Sequence, residues 1–106
     1  MTTLRLDLRS SGQAVTVAPG DRLEIRLEEN PTTGFRWYIE DDKNGVLILE
    51  DDAFTRPPGG ASGAGGTRDL VFKVAKQGQS MLRASYRRSW ETQKPQAIFE
   101  LTVTAK

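Results

Sequence analysis

Apolar and polar residues alternate with a period of two along almost the whole chain, and no window carries the i, i+3, i+4, i+7 spacing of an amphipathic helix. Successive side chains of an extended backbone point to opposite faces, so this alternation predicts strands with one buried face. Leu4, Leu6 and Leu8 alternate with Arg5, Asp7 and Arg9, and Val15 and Val17 mark a short segment that ends at Pro19-Gly20-Asp21. Leu23, Ile25 and Leu27 alternate with the charged residues of Arg22–Glu28, and Phe35, Trp37 and Ile39 form the next strand, closed by Asp41-Asp42-Lys43-Asn44-Gly45. Val46-Leu47-Ile48-Leu49 is continuous instead, the pattern of a short strand buried on both faces. Strands resume with Leu70, Phe72 and Val74, turn at Lys76-Gln77-Gly78, continue through Leu82, Ala84 and Tyr86, and finish with Ala97, Phe99, Leu101 and Val103.

A chain of 106 residues has room for one core, so residues 1–106 are expected to form a single domain. About seven short strands separated by turn signals predict an all-β fold, an immunoglobulin-like antiparallel β-sandwich. Without cysteine it has no disulfide between its sheets. Successive strands of such a sandwich reverse direction, which brings the connections after the second, fourth and sixth principal strands (B–C, D–E and F–G in immunoglobulin lettering) to one end. Those are the three unusual connections: Asn30–Gly34, the Pro/Gly/Ser run Arg56–Gly66, and Arg87-Arg88-Ser89-Trp90-Glu91-Thr92-Gln93-Lys94. The remaining connections are plain turns, so one elaborated end is the expected binding face.

Composition removes most catalytic chemistry. The lack of cysteine excludes thiol catalysis and thiolate metal sites, and the lack of histidine removes the usual general base, the usual zinc ligand and any Ser/His triad. Neither a carboxylate pair nor a Ser/Lys arrangement is recognisable, so no enzyme, cofactor or metal is expected. Asp41-Asp42 and Glu50-Asp51-Asp52 lack the ligand spacing of a calcium loop and read as solvated strand ends. The net charge is +1, with 27% charged residues of both signs, which argues against a nucleic-acid partner and predicts weak long-range steering. Met1-Thr2-Thr3-Leu4-Arg5 runs directly into the alternating pattern, so no signal peptide or membrane span is expected. A soluble monomer follows, with the compartment left open between the cytoplasm and export after removal of a leader.

Within the first connection, Pro31 fixes its own φ and pushes Asn30 away from helical geometry, while Gly34 can take the positive φ of a sharp reversal. Taken alone, Asn30–Gly34 also reads as a turn whose Asn and Thr side chains bond back to the backbone. The glycine-rich run lacks the Gly-Lys-Ser/Thr ending of a phosphate loop and reads as a spacer or a contact surface. Trp90 lies among Arg87-Arg88-Ser89 and Glu91-Thr92-Gln93, out of register with any apolar row, and is expected to project toward a partner, the alternative being that it folds back as a lid over the sandwich end. Trp37, flanked by Phe35 and Ile39, is expected in the core.

Together, Asn-Pro-Thr-Thr-Gly-Phe-x-Trp at 30–37, Gly-x-Gly-Gly at 63–66 and Tyr-x-Arg-x-Trp at 86–90 resemble the chagasin family of microbial cysteine peptidase inhibitors. The resemblance implies a three-loop wedge that enters the active-site cleft of papain-like cysteine peptidases. It implies that Thr32 lies nearest the catalytic cysteine of the peptidase, with Asn30, Pro31, Thr33 and Gly34 holding the tip. Gly63, Gly65 and Gly66 would line the non-primed side, and Arg88 and Trp90 the primed side. Two residues depart from the family pattern. Ser89 stands where Pro is usual, which removes a φ lock and raises the ordering cost by ~0.4–1 kcal/mol. Phe35 stands where Tyr is usual. The competing expectation is a non-inhibitory immunoglobulin-like module that binds through strand faces or edges.

Overall fold

In the computed structural model, which describes residues 1–30, 33–56, 65–90 and 94–106, two four-stranded sheets enclose one hydrophobic core. The strands are β1 (Thr3–Asp7), β2 (Gln13–Val17), β3 (Arg22–Glu29), β4 (Arg36–Glu40), β5 (Leu47–Thr55), β6 (Gly66–Val74), β7 (Gly78–Arg87) and β8 (Ala97–Ala105). One sheet has the order β1-β3-β6-β5 and the other β2-β8-β7-β4. The alternating rows meet as expected: Leu23, Ile25 and Leu27 of β3 and Leu70, Phe72 and Val74 of β6 pack against Leu82, Ala84, Phe99, Leu101 and Val103 of the other sheet. Trp37 is buried with them.

The all-β sandwich therefore stands, with eight strands and mixed sheets in place of seven strands and purely antiparallel ones. β1 pairs with β3 in parallel, and β2 pairs with β8 in parallel. The cause is a short 3-10 turn at Leu8–Ser10 that carries the chain from one sheet to the other. Asp7 caps it, accepting from Arg9 N at 2.9 Å while its own N–H donates to Ser10 Oγ at 3.3 Å. Leu8, read as the last apolar residue of the first strand, leaves the sheet here and is exposed. Alternation specifies which face a residue occupies, not the direction of its neighbour.

The Val46–Leu49 run also departs from expectation. Val46 and Leu47 are buried, but Ile48 is 51% and Leu49 43% exposed. β5 is an edge strand, its register with β6 slips between Leu49 and Asp51, and it continues through Glu50-Asp51-Asp52 to Thr55. A bulge and a run of carboxylates on an exposed edge discourage pairing with another chain.

Registers place the ends of β3, β5 and β7 and the starts of β4, β6 and β8 together: Glu29 opposite Gly66, Thr55 opposite Thr67, Arg36 opposite Arg87, and Tyr86 opposite Ala97. At the other end the turn before β3 is held by Asp21, whose carboxylate accepts from Ala18 N at 3.0 Å and Thr2 N at 2.9 Å. These bonds, that from Ala18 foremost, hold the Asp21 carboxyl below the usual carboxylate range. A group with a lowered folded pKa stabilises the fold above its unfolded pKa and loses that contribution as pH falls through the folded value. Asp21→Asn is accordingly expected to lower Tm at neutral pH, with the deficit shrinking as thermal melts are carried into acid.

Candidate functional site

The loop end is built on a buried ion pair. The inward row Leu23, Ile25, Leu27 continues by period two to Glu29, which is 2% exposed. Its carboxylate accepts from Arg68 Nη2 at 2.6 Å, Arg68 Nε at 3.3 Å and the backbone N–H of Trp37 at 3.0 Å. Arg68 also donates from Nη1 to Asp52 at 3.0 Å. Strands β3, β4, β5 and β6 are thereby joined directly beneath the connections. The bond to Glu29 outweighs the opposing effect of burial and raises the Arg68 guanidinium further above its already high pKa.

From this base an aromatic column rises through the second sheet. The rings of Trp37 and Tyr86 lie 4.9 Å apart and those of Tyr86 and Phe35 5.3 Å apart. The Arg88 guanidinium sits 4.4 Å from the Phe35 ring centre and 5.9 Å from that of Trp90. Trp37 Nε1 donates to the Glu28 carbonyl at 2.8 Å, and Tyr86 Oη accepts from Asn30 N at 2.9 Å. Every ring nitrogen or hydroxyl of the lower column is thus tied to the root of the first connection.

The sequence-predicted residues converge here. The Asn30 carbonyl accepts from Thr33 N at 3.3 Å and from Thr33 Oγ1 at 2.7 Å, so the Thr33 hydroxyl closes its own turn. Gly34 adopts φ +85°. Arg88 Nε donates to the Thr33 carbonyl at 3.0 Å, joining the first connection to the third. Trp90 is 70% exposed, yet the tip of its ring, Cη2, lies 2.8 Å from where a Cβ on Gly34 would stand. Gly65 approaches the same turn: a Cβ there would lie 3.3 Å from the Glu29 carbonyl and 3.6 Å from Asn30 Cβ. Phe35 precedes β4 instead of opening it, and Ser89 is exposed in the turn beside Trp90. Gly66 is the first residue of β6, where a Cβ would run into the Thr55 carbonyl and the Phe54 ring, so its missing side chain serves the sheet. Pro31, Thr32 and Gly63 lie outside the described residues.

Glu29 and Arg68 were not among the sequence candidates, and Tyr86 entered only as a motif and strand residue with no role. Period two already pointed Glu29 and Tyr86 inward, but nothing local pairs Glu29 with a partner 39 residues away. Among the described residues no cluster of Asp, Glu, His or Cys could hold a metal ion.

The pattern described as Chagasin family peptidase inhibitor I42 matches residues 16–103. The chain belongs to the chagasin family. By that membership it is a peptidase inhibitor and not an enzyme. Chagasin of Trypanosoma cruzi is 34% identical over 84 residues, 76% of either chain. Amoebiasin-1 of Entamoeba histolytica is 28% identical over 97 residues, covering 92% of this chain and 94% of its own. The fold is similar to the crystal structure of a cysteine protease inhibitor from Entamoeba histolytica, with a TM-score of 0.89 and 25% identity over 100% of this chain and 97% of that one. Two four-stranded sheets without a disulfide are thus the framework of a chagasin-type inhibitor.

Proposed function

We propose that this protein inhibits papain-like cysteine peptidases reversibly, as a monomer whose residues 1–106 act as one domain, by placing the three connections at its loop end into the active-site cleft. The observation that carries this reading is the convergence of Asn30, Thr33, Gly34, Gly65, Arg88 and Trp90 on one ring-supported platform. A similar fold, 19% identical with a TM-score of 0.63 over the full length of both chains, is seen in the structure of PbICP-C in complex with falcipain-2. Inhibition by such a platform is occlusion without chemistry. The tip from Asn30 to Gly34 supplies small polar residues that suit a narrow cleft, with Thr32 foremost. Internal bonds at Thr33 and Arg88 lower the ordering penalty that a flexible peptide incurs on binding. In the complex, Gly63, Gly65 and Gly66 would meet the cleft on the non-primed side, and Arg88, Ser89 and Trp90 on the primed side. The acidic, bulged edge of β5 disfavours the alternative of a module that recruits partners by strand pairing.

Titration of active papain and of several related peptidases with the purified protein tests this. Stoichiometric, reversible inhibition competitive with a peptide substrate is expected. No inhibition of any of them would overturn the proposal.

A further inference from the structure

Ion pairing is uneven among the arginines, whereas Lys43, Lys73, Lys76 and Lys106, away from the loop end, form none among the described residues. Arg5, Arg9, Arg22, Arg26, Arg68 and Arg83 each face a carboxylate within the fold. Arg36, Arg56 and Arg87 form no ion pair among the described residues, and all three flank the loop end. Arg36 and Arg87 are moreover direct partners in the β4–β7 ladder. Trp37 and Tyr86, the next pair, point inward, so the two guanidinium groups share the outer face. Like charges placed opposite each other in a sheet are destabilising. Arg87 is held 4.2 Å above the Tyr38 ring, and Arg36 is exposed on an edge strand. Over the segments 30–36, 56–66 and 87–96 the sequence carries five basic residues, Arg36, Arg56, Arg87, Arg88 and Lys94, against a single carboxylate, Glu91. A chain of net charge +1 therefore concentrates its surplus at one end.

Among the described residues no carboxylate pairs with either Arg36 or Arg87; Arg87 has only the Tyr38 ring and a bond from its Nη1 to the Arg88 carbonyl at 3.4 Å, and the pair sits beside the surface assigned to the peptidase. We infer that the outer face of β4 and β7 at the loop end, carrying Arg36 and Arg87, docks against a carboxylate-bearing rim of the target's cleft and selects anionic peptidases over cationic ones. The inference rests on the proposed inhibition and adds the chemistry of the partner. It also revises the expectation of weak steering, since a local patch sets the field an approaching partner meets, whatever the sum over the chain. The patch is short and bordered by the exposed Trp90, unlike the extended basic stripe that follows a nucleic-acid backbone.

The test uses two papain-like peptidases, one anionic and one cationic at the assay pH. Association rates are taken from progress curves between ~0.01 and ~0.15 M salt, over which the Debye length falls from ~30 to ~8 Å. The rate with the anionic enzyme is expected to fall ~10-fold or more and that with the cationic enzyme not to fall. Arg36→Glu should slow association with the anionic enzyme by ~10-fold at low salt, with the dissociation rate unchanged and Tm not lowered, since the change relieves the repulsion from Arg87, and Arg36→Gln should show a smaller loss of association of the same kind. Equal salt slopes for the two enzymes, or a wild-type association rate in Arg36→Glu, would overturn the inference. So would an Arg36→Glu protein that loses retention on heparin while associating normally, which would assign the patch to a polyanion. Absence of inhibition of either enzyme would remove both this reading and the proposed function, whereas inhibition with flat salt dependence removes this one alone.

Discussion

Glu29→Ala is expected to destabilise the protein by ~3 kcal/mol in urea denaturation, a large fraction of the ~5–15 kcal/mol by which a domain is ordinarily stable. The carboxylate has no exposed surface in its side chain, and its removal strands the largely enclosed Arg68 guanidinium and leaves the Trp37 N–H without an acceptor. Breaking a buried pair generally costs ~3–5 kcal/mol, and the low end applies because Arg68 keeps Asp52 and a fifth of its side chain is exposed. Glu29→Gln should lose less, since the amide oxygen can still accept from Trp37. The same change should slow association with a peptidase, because Glu29 directly precedes Asn30 and anchors the platform from below. A Glu29→Ala protein within ~0.5 kcal/mol of wild type would mean that the pair is replaced by water without penalty, and that the loop end is held by the aromatic column alone.

How far such a network can be read from the chain depends on the range of the interaction. Period-two alternation located the core rows, because a residue's face is a local property: Leu23, Ile25, Leu27 and their counterparts in β6, β7 and β8 are buried where the pattern put them, with Tyr86 and Ala97 half-buried at the loop end. Turn chemistry at Gly34 was equally local, and its φ of +85° follows from Asn-Pro-x-x-Gly. Three things were not local. The sheet change at Leu8–Ser10 depends on Asp7 and Ser10 capping a single turn, which alternation cannot distinguish from a strand's end. The exposure of Ile48 and Leu49 depends on β5 lying at an edge, a matter of sheet order and not of hydrophobicity. The burial of Glu29 was signalled by its register and contradicted by its charge, and only the distant Arg68 resolves the conflict. For the site, Asn30, Thr33, Gly34, Gly65, Arg88 and Trp90 were legible as motif residues and do meet, while Gly66 proves to be required by Phe54 and Thr55 of the neighbouring strand.

Trp90→Ala should raise the dissociation rate of an inhibited peptidase by ~30- to 1,000-fold, corresponding to ~2–4 kcal/mol, while changing the association rate by no more than ~3-fold. The reasoning is one of position. Trp90 offers a large apolar face that is 70% exposed in the free protein, so it contributes little to folding, and Tm should not move. Its ring is nevertheless not loose, because Cη2 rests above the bare Cα of Gly34 and the Arg88 guanidinium lies alongside. Gly34→Ala is the complementary change. It forces a side chain into a left-handed backbone, at ~1–2 kcal/mol, and drives a methyl group into the Trp90 ring. If Gly34 acts partly as the seat of Trp90, Gly34→Ala should weaken inhibition strongly in the wild type and less in a Trp90→Ala background, a coupling that a double-mutant cycle measures directly. Strict additivity would mean that the turn and the tryptophan act separately. An unchanged inhibition constant for Trp90→Ala would mean that the ring is only a lid over Gly34, and the wedge would then have to draw its affinity from the Asn30–Gly34 turn and the charged face of β4 and β7.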